Sequence, residues 1–134
     1  MSYRLTSSLT ALIFLALCLV LIFVPQLIYW LFGLAGNTVS DFLAKRAAFL
    51  FLGLAVLCFA ARNTHSTEVR GVVSLAVLAS MGSMALLGML ELWRGHAGPG
   101  ILVAIAAEVA LCAAHGRFAV VRRDHADGDR RAAD

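Results

Sequence analysis

Residues 100–118 read GILVAIAAEVALCAAHGRF, an apolar segment of membrane-spanning length with a glutamate near its middle. The six residues on either side of Glu108 are all Ala, Ile, Leu, Val or Cys. An isolated ionised carboxylate is costly in hydrocarbon, so we expect Glu108 to be paired, protonated or in contact with water. The segment therefore predicts a transmembrane helix that carries one polar group of structural or functional importance.

The composition of the whole chain is typical of a membrane protein. Of its 134 residues, 61% are hydrophobic and 14% are charged, and the mean hydropathy is +0.87. Soluble domains are about half apolar and a quarter charged. Most of the basic residues behind the net charge of +3 flank apolar segments, which indicates membrane topology and not nucleic-acid binding.

Four segments are long and apolar enough to cross a bilayer: residues 9–32, 42–61, 71–93 and 100–118. They leave only short connections, so the predicted fold is all-α, an integral membrane antiparallel four-helix bundle in residues 1–118. Pro25 is expected to kink or loosen the last turns of the first span. Residues 119–134 are rich in Arg and Asp, which predicts a disordered polar tail.

The basic residues predict the orientation of the bundle. Four spans place both termini and the 62–70 loop on one side of the membrane, and this side holds eight of the eleven basic residues. The positive-inside rule then puts both termini in the cytoplasm. Ten of the eleven basic residues are Arg, a bias typical of GC-rich bacterial genomes, so we expect a bacterial inner membrane.

The depths of the charged residues predict a polar cluster in the outer half of the bilayer. At 1.5 Å per residue, Arg46 lies about 6–7 Å and Glu108 about 12 Å below the outer ends of their spans. The difference is within the reach of an arginine side chain, so we expect an Arg46–Glu108 pair, with Glu91 and Lys45 completing the cluster. The alternative is that Lys45 and Arg46 extend to the headgroups while Glu91 faces water.

The role of Glu108 has more than one interpretation. A structural pair that fixes how the second and fourth spans pack is the first; a carboxylate that handles protons or cations, or that contacts a ligand, is the second. His115 follows seven residues later on nearly the same helix face, so it is a candidate for a proton relay. A histidine at the membrane interface near the end of a helix is the alternative.

Catalytic motifs are missing from the sequence. It has no Ser-His-Asp set, no H-E-x-x-H motif and no phosphate-binding glycine loop. Cys18, Cys58 and Cys112 lie in different spans, a spacing that predicts neither a disulfide framework nor a zinc site. We therefore expect no enzyme activity, no catalytic residue, no metal and no cofactor.

Three segments of the spans carry a resemblance to known proteins: KRAAFLFLGLA at 45–55, GMLELWRGHAGP at 88–99 and the A-x-x-A-E-V-A-L pattern that contains Glu108. They resemble small bacterial four-span membrane families, the DoxX-like proteins among them. The resemblance implies a four-helix membrane bundle. The small multidrug-resistance transporters have the same size and span number, but they place their essential glutamate in the first span, where this chain has no acidic residue.

The sequence leaves three functional hypotheses. The first is a non-enzymatic protein of the lipid bilayer that binds a lipophilic ligand or a membrane protein partner between its helices. The second is a proton-coupled transporter that works as a homo-oligomer, with Glu108 as the carrier carboxylate. The third, suggested by the resemblance alone, is a membrane redox accessory protein, and the scattered cysteines argue against it.

Overall fold

The structure, a computed structural model, describes the backbone of residues 2–131 and the side chains of residues 2–119. Within this part of the chain all regular structure is helical, which confirms the predicted all-α fold. In chain order the helices are α1 (Tyr3–Phe23), α2 (Pro25–Phe32), α3 (Thr38–Ala61), α4 (Thr67–Trp93) and α5 (Ile101–Arg131).

Four of these helices are long and apolar enough to cross a membrane: α1, α3, α4 and the Ile101–Ala119 part of α5. The chain is therefore a multi-pass membrane protein, as predicted. Among these helices, α1 begins at Tyr3 instead of residue 9 and α3 at Thr38 instead of residue 42, several residues earlier than expected. The disorder predicted for residues 119–134 falls almost wholly outside the described side chains and stays a prediction, although the backbone of α5 is helical to Arg131.

The first predicted span is divided in two at Val24. Pro25 has no N–H to donate to the preceding turn, and the residue before a proline avoids the α region. Val24 accordingly has φ −139° and ψ 54°. Pro25 is the first residue of α2, and Gly33, with φ 67°, ends that helix in the left-handed conformation. The kink expected at Pro25 is thus a complete break.

Polar side chains fix where three of the helices begin. Asn37 Oδ1 accepts a hydrogen bond from the backbone N–H of Ser40 at 2.9 Å, at the start of α3. Ser2 and Ser66 cap α1 and α4 in the same way. Such caps pair backbone N–H groups that have no partner inside the helix.

The helices pack mainly as two pairs, α1 with α3 and α4 with α5. One apolar cluster joins all four: Ala11, Phe14, Ala55, Cys58, Ala61, Val73, Val77, Met81 and Leu111. Large apolar side chains cover the outside of the bundle, with Leu50 74% exposed and Leu86 70% exposed. In water such exposure would be unfavourable, whereas in a bilayer these side chains contact lipid.

A glycine-lined junction joins α2 to the turn before α5. The Gly98 N–H donates to the carbonyl of Phe32 at 2.6 Å, and Gly100 lies directly against the carbonyl oxygen of Leu31. A Cβ atom at Gly100 would collide with this backbone carbonyl, which cannot rotate away as a side chain can. The junction therefore requires a residue without a side chain.

We expect Gly100→Ala to lower the free energy of unfolding by about 1–3 kcal/mol, the usual cost of overpacking. The measurement is the unfolding transition of the purified protein in detergent. Gly53→Ala is the matched control, because a Cβ at Gly53 meets nothing within 4 Å. Equal stability of the two variants would contradict the predicted close contact.

Candidate functional site

The first turns of α1 carry a stripe of buried hydroxyl groups. Tyr3, Thr6, Ser7 and Thr10 follow the spacing i, i+3, i+4 and i+7, which places them on one face of the helix. Each of these residues is less than 5% exposed. Since α1 begins at Tyr3, these residues belong to the helix itself, and their burial shows that this polar face points into the bundle.

His115 of α5 lies opposite this stripe and is completely buried. Its Nε2 lies 3.0 Å from the Thr10 hydroxyl, and its Nδ1 lies 3.2 Å from the Ser74 hydroxyl. The Thr10 hydroxyl donates its only proton to the Thr6 carbonyl at 2.9 Å, so its oxygen accepts from the Nε2–H of His115. In the neutral imidazole, Nδ1 then accepts from the Ser74 hydroxyl.

These hydrogen bonds connect helices of both pairs. His115 links α5 to Thr10 on α1 and to Ser74 on α4. The Ser7 hydroxyl donates to the Cys58 carbonyl at 2.7 Å, which connects α1 to α3. The hydroxyls of Tyr3 and Thr6, also buried, have no hydrogen-bond partner among the described residues.

The burial of His115 differs from the expectation of a histidine exposed at the membrane interface. Its hydrogen-bond partners among the described residues are Thr10 and Ser74, and the proton relay from Glu108 to His115 stays a prediction. Thr10 and Ser74 were not among the predicted site residues, because the sequence does not show which helix faces meet His115. The i, i+3, i+4, i+7 spacing of the hydroxyls on α1 is the signal that identifies a buried polar face.

Glu108 lies in a different place, on the wall of an apolar groove between α4 and α5. The groove encloses about 300 Å³ and is lined by Phe32, Leu34, Met84, Leu87, Gly88, Glu91, His96, Ala97, Ile101, Ala104, Ile105 and Glu108. Met84 is 42% exposed and Leu87 is 56% exposed, so the groove opens on the outside of the bundle. Glu108 Oε2 is buried and has no hydrogen-bond partner among the described residues. A polar atom in that state is unfavourable unless a ligand, a proton or water satisfies it.

Glu91 lines the same groove, but its carboxylate is paired with two residues that follow it closely in the chain. Its Oε1 lies 3.3 Å from Arg94 Nη1, and its Oε2 lies 2.8 Å from His96 Nδ1. This places a charged cluster at the end of the groove next to the α4–α5 turn. The structure therefore brings two of the four predicted cluster residues, Glu91 and Glu108, to one groove.

The structure does not bring Arg46 and Lys45 to this groove. Both are exposed on α3, and the guanidinium carbon of Arg46 lies 5.7 Å from the centre of the Phe42 ring. Among the described side chains no ion pair joins Arg46 to Glu108, so the predicted pair is not formed. The reason is lateral position: α3 packs mainly on α1, whereas α5 packs mainly on α4.

The described residues contain no group of three or more His, Cys, Asp or Glu side chains that could hold a metal ion. Cys18, Cys58 and Cys112 are free thiols. Comparisons with protein-family models, curated proteins and solved structures give no match. The resemblance to DoxX-like proteins therefore stays a prediction, and the function has to be argued from the geometry of the two sites.

We expect Thr10→Val to destabilise the bundle by about 0.6–1.7 kcal/mol, as measured for hydrogen bonds inside membranes. Valine keeps the shape of threonine but leaves the Nε2–H of His115 without an acceptor. The stability of Thr10→Val, His115→Leu and the double variant in detergent gives the coupling energy. Thr38→Val, at an exposed position, is the control; a coupling near zero would show that the Thr10–His115 bond contributes nothing.

The same measurement tests the separation of Arg46 from Glu108. We expect Arg46→Leu and Glu108→Gln to be additive within about 0.3–0.5 kcal/mol, because distant sites without shared partners do not couple. A coupling clearly above that value would mean that the two side chains meet in the membrane, contrary to the structure.

Proposed function

We propose that this protein binds an amphiphilic ligand in the groove between α4 and α5. The ligand has an apolar body and a polar head that donates hydrogen bonds to Glu108. Its head is an ammonium or another group with N–H or O–H donors, since an ionised carboxylate only accepts hydrogen bonds. The observation that carries this proposal is the buried Oε2 of Glu108, which has no partner among the described residues.

The shape and lining of the groove support a small lipophilic ligand. Binding pockets of small molecules are mostly apolar with a few polar groups, and their volumes begin at about 300 Å³. This groove has that volume, and its polar side chains are Glu91, His96 and Glu108. Gly88 and Ala104, which have small side chains or none, leave space in the groove between the helices. A groove of this size favours a single hydrocarbon chain over the helix of a partner protein.

The lateral opening supports entry from the bilayer. A ligand dissolved among the lipid tails reaches Glu108 past Met84 and Leu87 without crossing water. The paired Glu91 and His96 at the end of the groove leave Glu108 as the acceptor for the ligand head. We further propose that the protein resides in a bacterial inner membrane with both termini in the cytoplasm, as the distribution of arginines indicates.

Proton-coupled transport is the second candidate function, because the same unpartnered carboxylate oxygen would carry a proton. It differs from simple binding in requiring movement of the ligand across the membrane. Flux of the ligand into proteoliposomes along an imposed pH gradient, dependent on Glu108, favours transport. Binding without flux favours the first function.

We expect dodecylamine to bind the purified protein more tightly than dodecanoate, since only the amine donates to Glu108. Native mass spectrometry of the protein with each amphiphile measures the bound fraction. Glu108→Gln should weaken amine binding by about tenfold, equivalent to about 1.4 kcal/mol. Glu68→Gln removes the same charge at an exposed residue outside the groove and should change nothing.

A second variant tests the groove without changing charge. Ala104→Leu fills the groove and should reduce amine binding, whereas Ala113→Leu adds the same atoms at an exposed position of α5 that does not line it. Equal binding by the wild type and all four variants would rule out this groove as the site. Equal binding of amine and dodecanoate would rule out Glu108 as the anchor.

A further inference from the structure

A second pocket lies at the other end of the bundle, where α1 begins and where the loop between α3 and α4 turns. It encloses about 360 Å³ and is lined by Arg4, Arg62, Asn63, His65 and Arg70. Three of these five residues are arginines, and no acidic residue among the described side chains lines the pocket. The pocket belongs to no part of the function proposed above, and it shares no residue with the α4–α5 groove.

Two of the arginines are held in place without a carboxylate. Arg70 Nε and Nη2 both donate to the Thr64 carbonyl, at 2.9 and 2.6 Å, and its guanidinium carbon lies 5.1 Å from the centre of the Tyr3 ring. Arg62 Nη1 donates to the Phe59 carbonyl at 2.7 Å, and its guanidinium lies 3.4 Å from the centre of the Phe59 ring. Backbone carbonyls and aromatic rings thus orient these groups while their positive charges stay unneutralised by described acidic side chains.

The oriented arginines still have donors to offer. A guanidinium has five N–H donors, and these bonds to backbone carbonyls use two of them on Arg70 and one on Arg62. Arg4, exposed on the first turn of α1, adds a third guanidinium. Like charges gathered in one pocket repel each other, so a bound anion lowers their electrostatic energy.

The ends of the membrane spans lie at the level of the lipid headgroups. Arginine suits phosphate because its planar fork donates two parallel hydrogen bonds to phosphate oxygens. We propose that the pocket formed by Arg4, Arg62, Asn63, His65 and Arg70 binds a phosphate group, carried by an anionic lipid headgroup or by a water-soluble phosphate. Such a contact would hold the start of α1 and the α3–α4 loop against the headgroups.

The test compares three probes by native mass spectrometry of the purified full-length protein. Dioctanoyl phosphatidic acid carries an exposed phosphate, dioctanoyl phosphatidylcholine carries one masked by choline, and inorganic phosphate has no lipid part. We expect phosphatidic acid to bind better than phosphatidylcholine. Arg4→Gln should weaken binding of phosphatidic acid by about tenfold, the effect of losing one charge-assisted hydrogen bond.

Lys45→Gln is the matched control, because it removes the same charge from an exposed residue that does not line the pocket. Arg62→Gln is a second variant inside the pocket; Arg70 is left unchanged because it holds the loop at Thr64. Displacement of the lipid by inorganic phosphate supports a site for the phosphate group alone, which a soluble phosphate can fill, whereas arginine-dependent lipid binding that inorganic phosphate does not displace identifies the lipid headgroup as the source. Equal weakening by Arg4→Gln and Lys45→Gln, or equal binding of the two lipids, would overturn the proposal.

Discussion

The bundle depends on satisfying polar side chains where no water is available. His115 on α5 is completely buried, and the two nitrogens of its ring have hydroxyl partners on α1 and α4. Leaving such a ring without partners in an apolar interior would cost more than the bonds themselves contribute. Since apolar packing alone does not distinguish a helix from lipid tails, these directional bonds help to specify how the two helix pairs meet.

The two ends of the bundle are built differently, and the difference has functional consequences. Toward the α4–α5 turn, Gly98 and Gly100 bring α2 close to the start of α5, next to the groove that contains Glu108. Toward the start of α1, three arginines line a pocket that has no acidic residue among the described side chains. Within the described part of the chain, one end of the bundle thus presents an unpaired carboxylate oxygen, and the other presents guanidinium groups without a carboxylate partner. His115 is completely buried, and its hydrogen bonds connect α5 to α1 and α4.

For Glu108, the sequence predicted the need for a partner but not the identity of that partner. The isolation of this glutamate in an apolar segment identified it as a polar group that needs a partner, and its buried Oε2 has none among the described residues. Its expected partner was wrong, because depth along a helix axis was the only coordinate that the sequence supplied. The calculated depth of Arg46 puts its side chain within reach of Glu108, but Arg46 lies on α3, a helix that packs mainly on α1.

The sequence by itself determined the class of protein, the presence of four apolar spans and a disturbance of the first helix at Pro25, because these follow from composition, segment length and the chemistry of proline. The structure showed that this disturbance is a complete break. It also contained the i, i+3, i+4, i+7 stripe of hydroxyls on α1. Only the tertiary structure decided which helices are neighbours and which way each polar face points. Rotation of a helix about its axis and the choice of its neighbour depend on contacts between distant parts of the chain, such as those of Thr10 and Ser74 with His115.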